Sequence, residues 1–229
     1  AYIQAVDDLS PKAVERRIKN MGEDFITYDD LPINKNYTAE LENRGIQIIR
    51  KLTWFNSVSA YLTSNQIELL ITLPFIKSIE PVKKLYFQND PLLNSEQQLF
   101  KEMDNNYGYG LSLKQMSLSD VPLVHSKNIT GQNVLIGILD SGFDWKLHNS
   151  LKDRNVIAEY DFIFDDSVTA NQPEDSPSQD NHGTYVFSII AGFADSILIG
   201  PAFNSSYILA KIEDIRSETH IEEDNYAAA

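Results

Sequence analysis

The chain has 229 residues, 19 Lys+Arg against 33 Asp+Glu, a net charge of −14 and no cysteine. That acidity excludes a nucleic-acid groove or an anionic membrane surface as the main partner. The lack of thiols excludes disulfide scaffolds, cysteine-ligated zinc, iron–sulfur clusters and thiol nucleophiles. With 42% hydrophobic and 23% charged residues the composition suits one large globular domain or two small ones. The most apolar stretch, SIIAGFADSILIGPAF, is interrupted by Asp195 and is too short for a membrane span.

From the N-terminus, Ser10-Pro11 predicts a helix start: a capping hydroxyl followed by proline at the first helical position. Val14, Ile18 and Met21 then recur at helical spacing. Tyr37 and Leu41 mark a second helix that stops at Gly45. In the run IQIIRKLTWFNSVSAYL, Val58, Ala60 and Leu62 alternate with Ser57, Ser59 and Tyr61, the period-two pattern of a half-buried strand. Thr63 and Gln66 have capping-box spacing, Ile67, Leu70 and Ile71 give the next helix an apolar face, and IKSIEPV reads as a closing strand. Helix, strand pair, helix and strand predict a small α+β sandwich of the split βαβ (ferredoxin-like) kind over residues 1–88. Residues 89–118, polar and carrying Pro91, Gly108 and Gly110, read as a linker with at most a short helix.

Residues 119–229 change character. VLIGIL (134–139) is a continuous apolar run suited to a strand buried on both faces of a parallel sheet. IAEYDFIF (157–164) and SYILAKI (206–212) are two more strands. Val186, Ile189, Ile190 and Phe193 give a packed helix between them, and another helix begins in EEDNYAAA. Together these predict an α/β domain with an incomplete doubly wound parallel sheet. The chain starts at Ala1 and stops inside that last helix, so the expectation is a piece of a longer polypeptide.

Two tripeptides sit where such a sheet collects its chemistry. Asp140-Ser141-Gly142 lies at the carboxyl end of the first parallel strand, and His182-Gly183-Thr184 opens the apolar-faced helix. A carboxylate at a buried strand tip needs a hydrogen-bonding partner, and an imidazole is the side chain suited to general-base work near neutral pH. Each motif has a plainer reading: Asp-Ser-Gly is common in turns, and a lone histidine at a helix start is usually a surface residue. Apolar-Asp-Ser-Gly is also the signature of aspartic peptidases. Those enzymes need two such carboxylates, and this chain has one motif of this kind, followed by Phe143.

Taken together and in this order, VLIGILDSGFD and HGTYVFSIIAG resemble the Asp and His motifs of the subtilisin-like serine peptidases, with Asp140 and His182 forty-two residues apart. GPAFNSSYILAKIED is similar to the stretch that follows the His helix in that family, and residues 1–88 resemble its inhibitory propeptide. The resemblance implies a secreted bacterial zymogen that hydrolyses polypeptide substrates through an acyl-enzyme, with its own propeptide as intramolecular inhibitor. In that scheme Asp140 orients His182, and His182 takes the proton from a serine hydroxyl. The family's Gly-Thr-Ser motif does not occur here, position 185 is Tyr where the family often has a second His, and Ser141 and Ser188 lie inside the Asp and His motifs. This stretch alone is therefore expected to be inactive, and the alternative is a non-catalytic inhibitor or binding module on a degenerate peptidase scaffold.

No cofactor is implied with certainty. The acidic loop with Asp165, Asp166, Glu174, Asp175 and Asp180 reads either as a structural calcium site or, more simply, as a solvated charged loop in which Asp180 caps the helix. Glu213, Asp214, Glu218 and Glu222–Asp224 read either as an acidic rim for basic substrates or as an ordinary acidic helix start. His148 is expected to pack in its loop and His125 and His220 to be exposed, and Trp54 and Trp145 to pack rather than bind.

Overall fold

The computed structural model describes residues 1–82, 107–216 and 221–229. The chain divides into two compact units, Ala1–Lys83 with Glu223–Ala228, and Lys84–Glu222 with Ala229.

In the first unit, helix α1 spans Tyr2–Asp7 and α2 spans Pro11–Met21, whose start is capped by Ser10 Oγ accepting from Ala13 N at 3.2 Å. Helix α3 covers Lys35–Asn43 and is followed by Gly45 at φ 76°, a left-handed position that releases the chain toward strand β1 (Ile48–Leu52). β1 pairs antiparallel with β2 (Ser57–Ala60) through a tight turn in which Asn56 takes φ 45°. Helix α4 (Ser64–Leu70) begins with the expected capping box: Gln66 N donates to Thr63 Oγ1, and Thr63 N donates to Gln66 Oε1 at 2.8 Å. Leu41, Ile46 and Leu70 form the core, and Val58, Ala60 and Leu62 pack on it from the alternating face of the β2 segment. The strand expected at IKSIEPV does not form: residues 76–82 carry no ladder, and Ile76 and Ile79 instead pack directly on this core. Ile18, Met21 and Trp54 lie exposed, so α2 keeps its helical spacing without burying a residue, and Trp54 is not a packing residue within this unit.

The second unit holds helices α5 (Leu113–Leu118) and α6 (Val121–His125), then strand β3 (Leu135–Asp140) and strand β4 (Asn155–Asp161). Helix α7 (Asn181–Ala191) follows, then a short antiparallel pair β5 (Phe193–Ala194) and β6 (Leu198–Ile199), then strand β7 (Ser206–Lys211). Helix α8 (Ile221–Ala228) crosses the division, and its Asn225 Oδ1 accepts from Arg50 Nε at 2.9 Å within the first unit. β3, β7 and β4 form a parallel sheet with β7 in the centre, so Asp140, Lys211 and Asp161 come into one row at its carboxyl edge.

One face of this sheet is buried. Ile136, Ile138, Tyr207, Leu209 and Val156 pack against Phe187, Ala191 and Ile190 of α7. On the other face Leu135 is 55% exposed, Ile157 57% and Ile208 38%, so the apolar run at 134–139 is covered on one side here. A smaller core joins Tyr109 and Met116, at the end of the stretch read as linker, to Ile199 and Phe203. The remainder of that stretch, 89–106, lies outside the described residues.

His125 sits in this second core and is buried, contrary to expectation. Its Nε2 lies 2.9 Å from Pro201 O, which can only accept, so Nε2 carries a proton. Nδ1 faces Tyr109 Oη at 2.6 Å. Burial pushes the Tyr109 hydroxyl up to about 12, keeping it a donor.

Candidate active site

Asp140 is the last residue of β3, where the chain must turn away from the sheet. Gly142, at φ 140°, makes that turn, and a Cβ there would lie 2.8 Å from Thr169 O. The loop folds back on its own carboxylate: Ser141 N donates to Asp140 Oδ1 at 2.7 Å and Ser141 Oγ at 3.1 Å. His182 is the second residue of α7. Gly183 lets the helix start touch the loop, since a Cβ on it would sit 2.1 Å from Gly142 O. Thr184 Oγ1 adds a clamp, accepting from Asp144 N at 2.8 Å and donating to Asp180 O at 2.6 Å.

These constraints bring the two sequence candidates together. His182 Nδ1 lies 2.8 Å from Asp140 Oδ1 and 3.1 Å from Oδ2. The carboxylate side chain is 9% exposed and the imidazole 70%. A buried acceptor thus meets an open ring edge-on, and with Nδ1 engaged, Nε2 is the nitrogen that remains to exchange a proton with another molecule. Among the described residues the hydrogen-bond partners of the Asp140 carboxylate are Ser141 and His182, with no second carboxylate of the kind an aspartic peptidase pairs.

The acidic loop differs from its sequence reading. Lys211 Nζ is fully buried and pairs with Asp175 Oδ2 at 2.6 Å and Asp161 Oδ2 at 2.8 Å, beneath the ring of Phe164 at 5.1 Å. Asp175 also accepts from Gln172 N at 2.8 Å, and Asp166 accepts from Val168 N at 2.7 Å. Asp180 precedes α7 without capping it, because its carboxylate accepts from Asn171 N at 3.0 Å. The loop is a brace built on an internal cation, and among the described residues no three His, Asp or Glu side chains gather as a metal site. Asp161, Lys211 and Gln179 were not singled out from sequence. The signal was the lysine in the otherwise apolar SYILAKI, since a charge at a buried strand position requires acidic partners.

At the proposed acidic rim, Asp214 is already bound to Arg216, Nε to Oδ1 at 2.8 Å and Nη2 to Oδ2 at 2.6 Å. These bonds hold its carboxyl below the usual range. His148 is exposed in its loop, with Nδ1 3.0 Å from Ser150 Oγ. Trp145 packs against the main core and donates to Glu159 at 3.0 Å. His220 lies outside the described residues.

Residues 131–229 match the subtilase family, and residues 2–98 match the peptidase S8 propeptide domain of Bacteroidota. The chain belongs to the subtilase family. Among subtilase relatives, subtilisin E of Bacillus subtilis (strain 168) is 25% identical over 177 residues, 76% of this chain and 38% of that protein. The PC3-like endoprotease variant B of Hydra vulgaris is 31% identical over 146 residues, 61% of this chain and 18% of its own. A subtilisin of Bacillus pumilus is 34% identical over 96 residues, 41% of this chain and 30% of its own. The chain thus spans well under half of the length of these subtilases. Among the described residues no helix is long and apolar enough to cross a membrane.

Proposed function

We propose that Asp140 and His182 are two members of a serine endopeptidase triad, and that a stretch of the polypeptide outside these 229 residues supplies the serine. In the proposed reaction His182 Nε2 takes the proton as the serine Oγ bonds to the scissile carbonyl carbon. The imidazolium is stabilised by Asp140 and returns the proton to the departing amine as the C–N bond breaks. Water then hydrolyses the acyl-enzyme with the same ring as base. Residues 1–88 act as an intramolecular inhibitor, 89–118 as the connecting and maturation segment, and 119–229 as the first part of the peptidase domain of a secreted bacterial zymogen acting on polypeptides.

The observation that carries this reading is the 2.8 Å contact between His182 Nδ1 and Asp140 Oδ1. It leaves Nε2 as the base of an exposed ring. The exposed apolar face of the parallel sheet, at Leu135, Ile157 and Ile208, supports further chain packing there. The test is peptide hydrolysis by the longer polypeptide. His182→Ala and Asp140→Asn are each expected to lower kcat/KM by roughly 10³-fold or more, and the 229 residues alone to hydrolyse nothing. A polypeptide that continues without Gly-Thr-Ser, and whose first 88 residues inhibit a subtilase in trans, would instead establish the inhibitor module.

A further inference from the structure

Gln179 is fully buried three residues before His182, and all its partners are main-chain groups. Its Nε2 donates to Ser141 O at 2.7 Å and to Glu213 O, and its Oε1 accepts from Ile215 N at 3.1 Å. These partners come from two segments, the one leaving β3 just after Asp140 and the one leaving β7 just after Lys211, neighbours at the sheet edge. One side chain therefore ties two strand exits to the approach of α7. Only a carboxamide supplies two donors and an acceptor in one plane: glutamate cannot donate twice, lysine cannot accept, and asparagine is one methylene short.

We infer that Gln179 is a positioning residue that sets the geometry of the Asp140–His182 pair. Its bond to Ser141 O fixes the plane of the 141–142 peptide. Ser141 N, in the neighbouring 140–141 peptide, donates to Asp140 Oδ1 at 2.7 Å, so the carboxylate is held by the residue whose carbonyl Gln179 fixes. The 179–182 segment carries the imidazole that meets this carboxylate, so both members of the pair are referenced to one amide. Removing the amide leaves the Ser141 carbonyl in a buried site without this donor, and such groups reorganise rather than stay unpaired. The importance of the pair for hydrolysis rests on the function proposed above, whereas the positioning of one side chain by another is independent of it.

The test is NMR on the 229-residue chain, reading the Nδ1–H resonance of His182 and its exchange with water. In the unaltered protein the two Gln179 side-chain amide protons should exchange at least 10-fold more slowly than those of exposed Gln115. In Gln179→Met, and in Gln179→Glu, which keeps the shape but not the donors, the His182 Nδ1–H signal should be lost to exchange at least 10-fold faster, while β3 and β7 amides stay within about 2-fold. Either folded variant with an unchanged His182 signal overturns the inference. So does a Gln179 amide exchanging as fast as that of Gln115, a measurement that needs no variant to fold. Loss of hydrolysis independent of His182 would overturn the proposed function and leave this result standing.

Discussion

At the scale of single residues a partly exposed ion pair ties the stability of the first unit to pH. Arg17 Nη1 donates to Asp30 Oδ2 at 2.6 Å, and Thr27 N donates to the same oxygen at 2.7 Å. The Arg17 hydrogen bond is the main reason that the Asp30 carboxyl is lowered from 3.8 to about 2. A carboxyl lowered in the folded state contributes stability that is fully present above pH 3.8 and is lost as pH falls through about 2. Because Arg17 is partly exposed, solvent screening trims the contribution to about 1 kcal/mol. Asp30→Asn should therefore lower the stability of the first unit by about 1 kcal/mol at neutral pH, and should flatten its dependence on pH between about 4 and 2. Denaturant titrations followed across that range check both, and a variant whose acid limb overlays the parent's would refute the assignment.

Elements in the second unit are held at their ends rather than along their lengths. β7 lies between β3 and β4, and its last residue, Lys211, pairs with Asp161 at the tip of β4 and Asp175 in the loop before α7. Lys211→Met is nearly volume-conserving but leaves two buried carboxylates facing each other, which should cost about 3–5 kcal/mol by thermal or chemical unfolding. Recovery on adding Asp175→Asn would tie the loss to the carboxylates, and additive losses would point to packing instead. The strand tip and the helix of the site were legible in the sequence because the continuous apolar run at 134–139 and the helical spacing of Val186, Ile189 and Ile190 are local patterns. What holds them was not: Asp161 and Lys211 are fifty residues apart and only the parallel register of the sheet brings them together, and the loop that carries Asp175 and Gln179 meets the sheet edge only in the folded chain. The closing strand expected at 76–82 failed for the same reason in reverse, since Ile76 and Ile79 have β-branched character but spend it on the Leu41–Leu70 core. His125 was misread because its partners, Tyr109 and Pro201, come from opposite ends of the unit.

For the whole molecule the unresolved balance lies in the sheet itself. Parallel strands ordinarily have both faces covered, yet Leu135, Ile157 and Ile208 place exposed apolar side chains on the face away from α7. If, as proposed, these 229 residues belong to a longer polypeptide that lays further elements on this face, the same substitution must have two different costs. Ile157→Lys in the 229-residue chain changes an exposed residue at a sheet edge, and should move its stability by no more than about 0.5 kcal/mol. In the longer polypeptide it would place an unpaired ammonium under packed chain, and should cost about 3 kcal/mol or more, by the same unfolding assay. Serine at the same position separates burial from charge: it should remain near neutral in the short chain and lose about 2 kcal/mol in the long one. Equal effects in both chains would mean that this face stays in water, and that the peptidase domain is completed somewhere other than on the sheet that carries Asp140.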